Sequence, residues 1–462
     1  MPKPAPRLER TTFTASRKME YFTVDGLTKE IAHGIELWPK AITKELIDNS
    51  LDACEESSVT PLIKVTIDDT RISVADNAGD GLPEATLRGS QDYEQTVSNK
   101  ALYVSPLRGK QGNALKTVWA APYVYSGGNT GRVQIVTPSY AREITISLNK
   151  LAQEPILEES PINTPFVKTG TIVTIEWDRV SLLSEGVETP DFYKSLLDLL
   201  QGYALFNPHA GFRLSCNGAT TLVSEPIVSG WEKWTPAKPT SPHWYDVDTL
   251  SRLIGAKVYS GNGQQTVRDF VSEFAGLTGT GKQQEVVTRA ELSKQRLDDL
   301  VCENKTELDP KLVGRLLKEM RDASKPIKAA KMGVIGKDVL TRRLIEIEGV
   351  ADEVCYLKEF TEGPEPLVTE VAIGTRKTRE TNEEETLGDD EQCHYPSDGR
   401  RLRYGLNFTP ALRTPFKIIP RVLQAMFSEA SDPLCIAIHS TSPHIEFEDR
   451  GKSMLSGEDV DD

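Results

Sequence analysis

Two short runs, "LIKVTI" (62–67) and "RISVAD" (71–76), alternate apolar and polar residues and are joined by Asp68, Asp69 and Thr70. A period of two is what a strand with one buried face requires. Directly before them lies a stretch with helical spacing: Pro39 suits a first helical turn, and the pattern runs to about Ser57. A long helix running straight into a hairpin places this part of the chain in the α/β class. Further segments keep the alternation. "VQIVTP", "EITISL" and "GTIVTIEW" read as strands, as does the region around "FRLSCNG". "GNALKTVWAA" and "PDFYKSLLDLLQGYALF" (190–206) read as helices, and residues 27–36 as a short one. Residues 85–108 are polar and poorly periodic, which predicts a long loop or lid. The expectation is a mainly antiparallel sheet with helices on it.

The rest of the chain changes character. "KWTPAKPTSPHW" (233–244) is proline-rich and reads as a linker. Residues 246–320 are helical in pattern, and strands return after about residue 325 in "VTEVAIGT", "RLRYGLNF", "LCIAIHS" and "HIEFED". "RETNEEETLGDDEQ" (379–392) has almost no apolar residues and predicts a disordered loop. A chain of 462 residues is too long for one core. Three units are expected, 1–228, 229–322 and 323–462. No apolar run reaches membrane-spanning length, and "MPKPAPRLER" lacks the apolar core of a signal peptide, so a cytoplasmic protein without membrane partners is expected. The six cysteines form no CxxC, which argues against a disulfide framework or a zinc site. A formal net charge of −14 excludes a wholly basic surface but leaves room for a local basic groove. "KPIKAAKMGVIGK" (325–337) is either such a groove or a solvated loop.

Four stretches carry side chains suited to chemistry. In "KELIDNSLDACEES" (44–57), Glu45 and Asn49 stand four apart and leave one helix face. A carboxylate and an amide there can orient a water and complete a magnesium shell otherwise made of water and phosphate oxygens. "VADNAGDGLP" ends a strand on Asp76, suited to accept from an exocyclic amine, and Gly79 and Gly81 let backbone approach a ring. "RGKQGNALKTV" sets Gly109 and Gly112 before a helix starting near Asn113, where backbone amides bind phosphate and Lys110 and Lys116 add charge. "KTGTIVTIEW" places Gly170 and Thr171 at the start of a strand. Taken singly, each has a plain structural explanation: a solvated acidic face, a turn, a glycine loop, a hairpin.

Their order is more specific. A helix with ExxxN, an Asp-Gly turn, a lid, a glycine loop leading into a helix, and Gly-Thr on a strand resembles the GHKL ATPase superfamily, which includes gyrase, Hsp90, histidine kinases and MutL. "SRKMEYFTVDGLTKE" with "ELIDNSLDAC" is similar to the topoisomerase VI B-type chains. "SPHWYDVDTLSRLIGAKVY" and "TVRDFVSEFAGLTGTGKQQ" resemble the helix-two-turn-helix insert of those chains, and "FEDRGKSML" (446–454) resembles the end of their transducer. The resemblance implies a GHKL (Bergerat) ATPase sandwich, a helix-two-turn-helix-like insert and an α/β transducer. It implies ATP and Mg2+ as cofactors. Glu45 would be the general base, Asn49 the magnesium ligand, and Asp76 the adenine reader with Gly79 and Gly81 beside the base. Thr171 would support the adenine contact through water. Gly109, Lys110, Gln111, Gly112, Asn113, Ala114 and Lys116 would cradle phosphates, and Lys452 would meet the γ-phosphate. Two departures stand out: "DNAGDG" has one residue more than the family's D-N-G-x-G, and Ala114 replaces the last glycine of Q-G-x-G.

The activity implied is an ATPase subunit of a type IIB topoisomerase-like complex, nucleoid-associated, dimerising on ATP into a gate around duplex DNA. The alternative is an ATP-driven DNA clamp or sensor with another effector, in mobile-element maintenance or phage defence. The family's chains continue into a long helix that docks the cleaving subunit. The acidic "GEDVDD" after Lys452 shows no such helix, so the effector is either a topoisomerase VI A-like subunit or a different protein. An Hsp90-like chaperone fits the first unit but not the helical insert. A histidine kinase lacks its phosphoacceptor helix here, His33 lying too early.

Overall fold

The computed structural model describes residues 17–68, 70–94, 102–108, 114–176, 189–228, 232–304, 306–377, 399–445 and 455. The predicted features at 379–392, at 109–113, at Lys452 and over most of "HIEFED" lie outside them.

The first unit opens with helices α1 (Val24–Ile31) and α2 (Trp38–Glu56). The single helix expected over 27–36 is two pieces. Thr23 caps α1 by accepting from the Gly26 amide, Ala32 ends it in the left-handed region, and a 3-10 turn over Ile35–Leu37 follows. Strands β1 (Leu62–Ile67) and β2 (Arg71–Ala75) come next, then α3 (Glu84–Ser90) and α4 (Ala114–Tyr125). The predicted lid over 85–108 therefore starts as a helix, anchored by the buried Leu87. Strands β3 (Gly131–Val136), β4 (Ala141–Asn149), β5 (Glu154–Pro161) and β6 (Ile172–Glu176) lead to α5 (Thr189–Phe206), β7 (Gly211–Cys216) and β8 (Ala219–Ser224).

These strands form one sheet in the order β5-β4-β3-β6-β2-β1-β7-β8. Every neighbouring pair is antiparallel except β1 with β7, in agreement with the mainly antiparallel expectation. Helices α2, α4 and α5 pack on the sheet, with α2 touching both of the others. Trp38, Ile47, Leu51, Trp119, Tyr203 and Phe212 are completely buried between the layers. Apolar burial of this extent is the main term holding the layers together. β5 escapes a reading by pattern because it is an edge strand with no buried residue.

The helical region holds α6 (Val247–Lys257), α7 (Val267–Val271), α8 (Thr280–Arg289) and α9 (Pro310–Asp322) around Phe270, Phe274, Val286, Leu316 and Met320. The stretch 233–244 is not a free linker. Trp234 and Trp244 are buried with ring centroids 5.0 Å apart, and Lys233 bridges to Gly333. Pro242 opens a 3-10 turn over Pro242–Trp244, while the tryptophans supply core.

The last unit joins α10 (Lys337–Glu348) to strands β9 (Val350–Thr361), β10 (Leu367–Arg376), β11 (Arg401–Leu406), β12 (Thr409–Pro410) and β13 (Leu434–Thr441), with α11 (Ile419–Ala425) between the last two. The sheet runs β12-β11-β13-β10-β9. Phe206, at the end of α5, is buried with Leu340, Leu344 and Phe408, so α5 serves both sheets. Gly405 permits this: a Cβ there would meet the Phe206 ring at 2.7 Å. The fold is thus mixed α/β with two sheets. Among the described residues, no helix is long and apolar enough to cross a membrane.

Candidate functional site

Helix α2 has two working faces. Glu45 is half-buried and Asn49 is exposed on one of them. Lys44 is buried, with its ammonium 3.1 Å from Asp48 and 3.6 Å from Glu45. Burial opposes the Lys44 charge, but Asp48 and Glu45 outweigh it and push the pKa up, so this lysine stays protonated.

One residue beyond Asn49, the Ser50 hydroxyl donates to Asp76 Oδ2 at 3.2 Å, which brings α2 against the end of β2. The other carboxylate oxygen, Oδ1, accepts from the amides of Ala78 (2.9 Å) and Thr171 (3.2 Å). The Asp76 amide in turn donates to the Thr171 carbonyl. Burial pushes the Asp76 carboxyl up, against these bonds, which favour the anion. A carboxylate oxygen has two lone-pair positions, so Oδ1 is filled by amides and Oδ2 keeps capacity for a second donor.

The turn after Asp76 requires its glycines. Gly81 has φ +76°, and a Cβ there would meet the Gly170 carbonyl oxygen at 2.5 Å. Gly170 has φ +80°, and its Cβ would meet the Asp76 carbonyl oxygen at 2.1 Å. Only glycine meets both demands. Gly79, also at positive φ, accepts from the Gly170 amide at 3.1 Å. The Thr171 hydroxyl accepts from the Leu82 amide at 2.8 Å, so it locks the turn. The extra residue of "DNAGDG" is absorbed by letting Gly79 pair with Gly170 while Gly81 packs over it. Asn77, within the same turn, is tied to the Leu62 amide and the Thr60 carbonyl.

Asp76, Gly79, Gly81 and Thr171 are therefore drawn together with Ser50 by α2, the β2 turn and the start of β6, while Glu45 and Asn49 stand elsewhere on the same helix. Ala114 is the first residue of α4. Lys116, two residues on, is buried, and burial pushes its pKa down against the acids Asp92 and Glu30. Gly109, Lys110, Gln111, Gly112, Asn113 and Lys452 lie outside the described residues. Reading the sequence alone missed Ser50, Lys44 and Asp48. Ser50 carried a signal, since it follows Asn49 directly and turns toward the sheet. Among the described residues, no group of three or more His, Cys, Asp or Glu is placed to hold a metal ion. A magnesium ion carried by nucleotide phosphates and water would need few protein ligands, and Asn49 offers one amide oxygen.

No protein-family profile matches the chain. It is 26% identical over 235 residues to the B-type chain of type 2 DNA topoisomerase 6 from Archaeoglobus fulgidus, covering 46% of this chain and 35% of that protein. The protein of the same name from Sulfurisphaera tokodaii is 23% identical over 317 residues, covering 64% of this chain and 54% of that protein. The chain thus spans about a third to a half of the length of the curated relatives it matches. Among solved structures, it is similar to the Aquifex aeolicus MutL ATPase domain complexed with ADP, at 13% identity and TM-score 0.36, covering 86% of this chain and 89% of that one. It is also similar to the B-subunit of the DNA gyrase from Myxococcus xanthus, at 9% identity and TM-score 0.38, covering 95% and 88%. In its sequence and in the order of its motifs, the chain resembles the topoisomerase VI B-type chains of the GHKL ATPase superfamily.

Proposed function

We propose that this protein binds and hydrolyses ATP, and that the nucleotide brings two copies together as a gate or clamp on duplex DNA. The observation that carries the nucleotide reading is Asp76. Its Oδ1 accepts from two backbone amides, and its Oδ2 accepts from the Ser50 hydroxyl of α2 and keeps lone-pair capacity for one more donor. The six-amino group of adenine matches this acceptor, at the ring position where guanine carries a carbonyl. Glu45 would take a proton from the attacking water. Asn49 would hold a magnesium ion, which supplies charge neutralisation at the phosphates when bound. The glycine loop 109–112 would hold phosphates on its amides, and Lys452 would add charge at the γ-phosphate.

The same reading divides the chain into the nucleotide unit 1–228, a helical unit 229–322 and a transducer 323–462. Lys325, Lys328, Lys331 and Lys337 are all exposed along one stretch between the last two, which supports duplex DNA as a partner. The test is calorimetry with a non-hydrolysable ATP analogue and its guanine counterpart, on the wild type and Asp76→Asn. The wild type should bind only the adenine nucleotide, and Asp76→Asn should lose that binding while keeping its circular dichroism. Equal affinity for both nucleotides, or normal binding by the variant, overturns the assignment. Light scattering with the analogue then reads dimerisation. Relaxation of supercoiled plasmid with a co-purified effector distinguishes strand passage from clamping.

A further inference from the structure

Beside the Glu45 and Asn49 stripe, α2 carries Lys44, Asp48, Asp52 and Glu55, all buried. Four ionisable groups in a core are costly unless each is paired. The pairing is built from outside the first sheet's unit as well as from within it. Asp48 Oδ1 accepts from the Tyr203 hydroxyl of α5 at 2.7 Å and from the Thr409 hydroxyl of β12 at 2.8 Å. Asp48 Oδ2 accepts from Lys44 at 3.1 Å, and the same ammonium reaches Glu45 at 3.6 Å. Beside them, the buried Arg108 guanidinium holds Asp52 at 3.0 Å and Glu55 at 2.9 Å and donates to Asn207. Asn207 donates onward to the Phe408 carbonyl at 2.8 Å. Phe408 ends the turn from β11 and Thr409 opens β12, so this corner of the second sheet reaches the ionic cluster of α2 directly at Asp48 and through Asn207 at Arg108.

We propose that Thr409 is a positioning residue for ATP hydrolysis: through Asp48 and Lys44 it fixes the Glu45 carboxylate from the second sheet. The inference rests on the nucleotide reading given above. Lys44 is shared between two carboxylates on successive turns of one helix. Asp48 Oδ1 has two neutral donors, with the Arg108 guanidinium 4.0 Å away, and is satisfied without Lys44. The ammonium is thereby left on the Oδ2 side, within reach of Glu45. Removing the Thr409 hydroxyl takes one donor from Asp48 and draws Lys44 toward it, away from Glu45. The second sheet then sets the geometry of the base without touching nucleotide, and a displacement of the β11–β12 turn is felt at α2.

The experiment compares the wild type with Thr409→Val, which keeps the shape and loses the hydroxyl, and with Thr409→Ser, which restores it. Steady-state hydrolysis, affinity for a non-hydrolysable ATP analogue, and thermal unfolding are measured on each full chain. In Thr409→Val, kcat should fall about fivefold, the scale seen for residues coupled to a distant site. Analogue affinity should stay within twofold, and Thr409→Ser should recover wild-type kcat. If Thr409→Val hydrolyses ATP at the wild-type kcat, the inference is overturned while the nucleotide reading stands. If affinity and kcat fall together with the melting temperature and serine does not restore them, the residue only packs the interface, and the inference is again overturned. A wild type that neither binds the analogue nor hydrolyses ATP removes the nucleotide reading, and this inference with it.

Discussion

At the level of single residues, the proposed site depends on two carboxylates, Asp76 held by a turn and Glu45 beside Lys44. Asp76 is held by Ala78, Thr171 and Ser50, and its surroundings tolerate no added carbon. Gly170→Ala would drive a methyl against the Asp76 carbonyl and place alanine at φ +80°. The cost should be about 1–3 kcal/mol, read by urea unfolding, with weaker analogue binding because Asp76 moves. Glu45 behaves differently, since it lies on a helix surface and fills no space in the core. Glu45→Ala should retain nucleotide affinity and lose about 10²-fold or more in hydrolysis, the scale of a missing general base. Phosphate release at the wild-type rate would remove Glu45 from that role.

Among the elements, α2 and α5 carry the most. α2 presents the candidate site and, beside it, an ionic cluster joined to Glu45 through Lys44, and α5 lies between the two sheets with Tyr203 on Asp48 and Phe206 in one cluster with Phe408. The ionic cluster has its own electrostatic signature. Burial, with Arg108 nearby, pushes Lys233 down to about 8, although Glu55 is only 2.6 Å away. Elsewhere, helix stability is set by local caps. The Asp246 carboxylate accepts from the Thr249 amide at 2.7 Å, and the Thr249 hydroxyl accepts from the Asp246 amide at 2.9 Å, a reciprocal cap at the start of α6. Asp246→Ala should cost about 1 kcal/mol, visible as a lower urea midpoint with an unchanged slope. Since α6 is distant from Asp76 in the fold order, nucleotide affinity should not change.

At the scale of the whole molecule, the second sheet is closed by a buried acid. Glu370 on β10 accepts from the amides of Ile335 (2.9 Å) and Gly336 (2.7 Å), just before α10, and from the Tyr356 hydroxyl at 2.8 Å. His439 Nδ1 lies 3.3 Å away. Burial works to raise the Glu370 pKa, but the His439 imidazole and the two amides outweigh it and hold it at about 2. A carboxyl with a folded pKa below its unfolded value adds stability above the unfolded pKa, and that stability is lost as pH falls through the folded one. The window here runs from pH 4.5 down to about 2, and the contribution is on the order of 3 kcal/mol. Urea unfolding across that window should show the wild type losing stability and Glu370→Gln, less stable at neutral pH, losing much less. Parallel pH dependence in the two proteins would show that this carboxyl is not the titrating group.

Local spacing encodes a definite part of this protein. The period of two in β1 and β2, the proline at the start of α2, and the i, i+4 pair of Glu45 and Asn49 depend on neighbours a few residues apart. The glycines of 79–81 and 170 were marked because tight turns select for them, and the resemblance to topoisomerase VI B-type chains followed from the order of such local signals. Only the tertiary structure decided the rest. β5 has no buried face to impose an alternation, so its glutamates disguised an edge strand. The stretch 233–244 looked like a linker because its prolines are local, while the core that buries Trp234 and Trp244 comes from helices elsewhere. Asp48 read as one more surface acid. Besides Lys44 on the same helix, its donors Tyr203 and Thr409 lie 155 and 361 residues away, and no local pattern records a hydrogen bond that the chain makes only when both sheets close on α2.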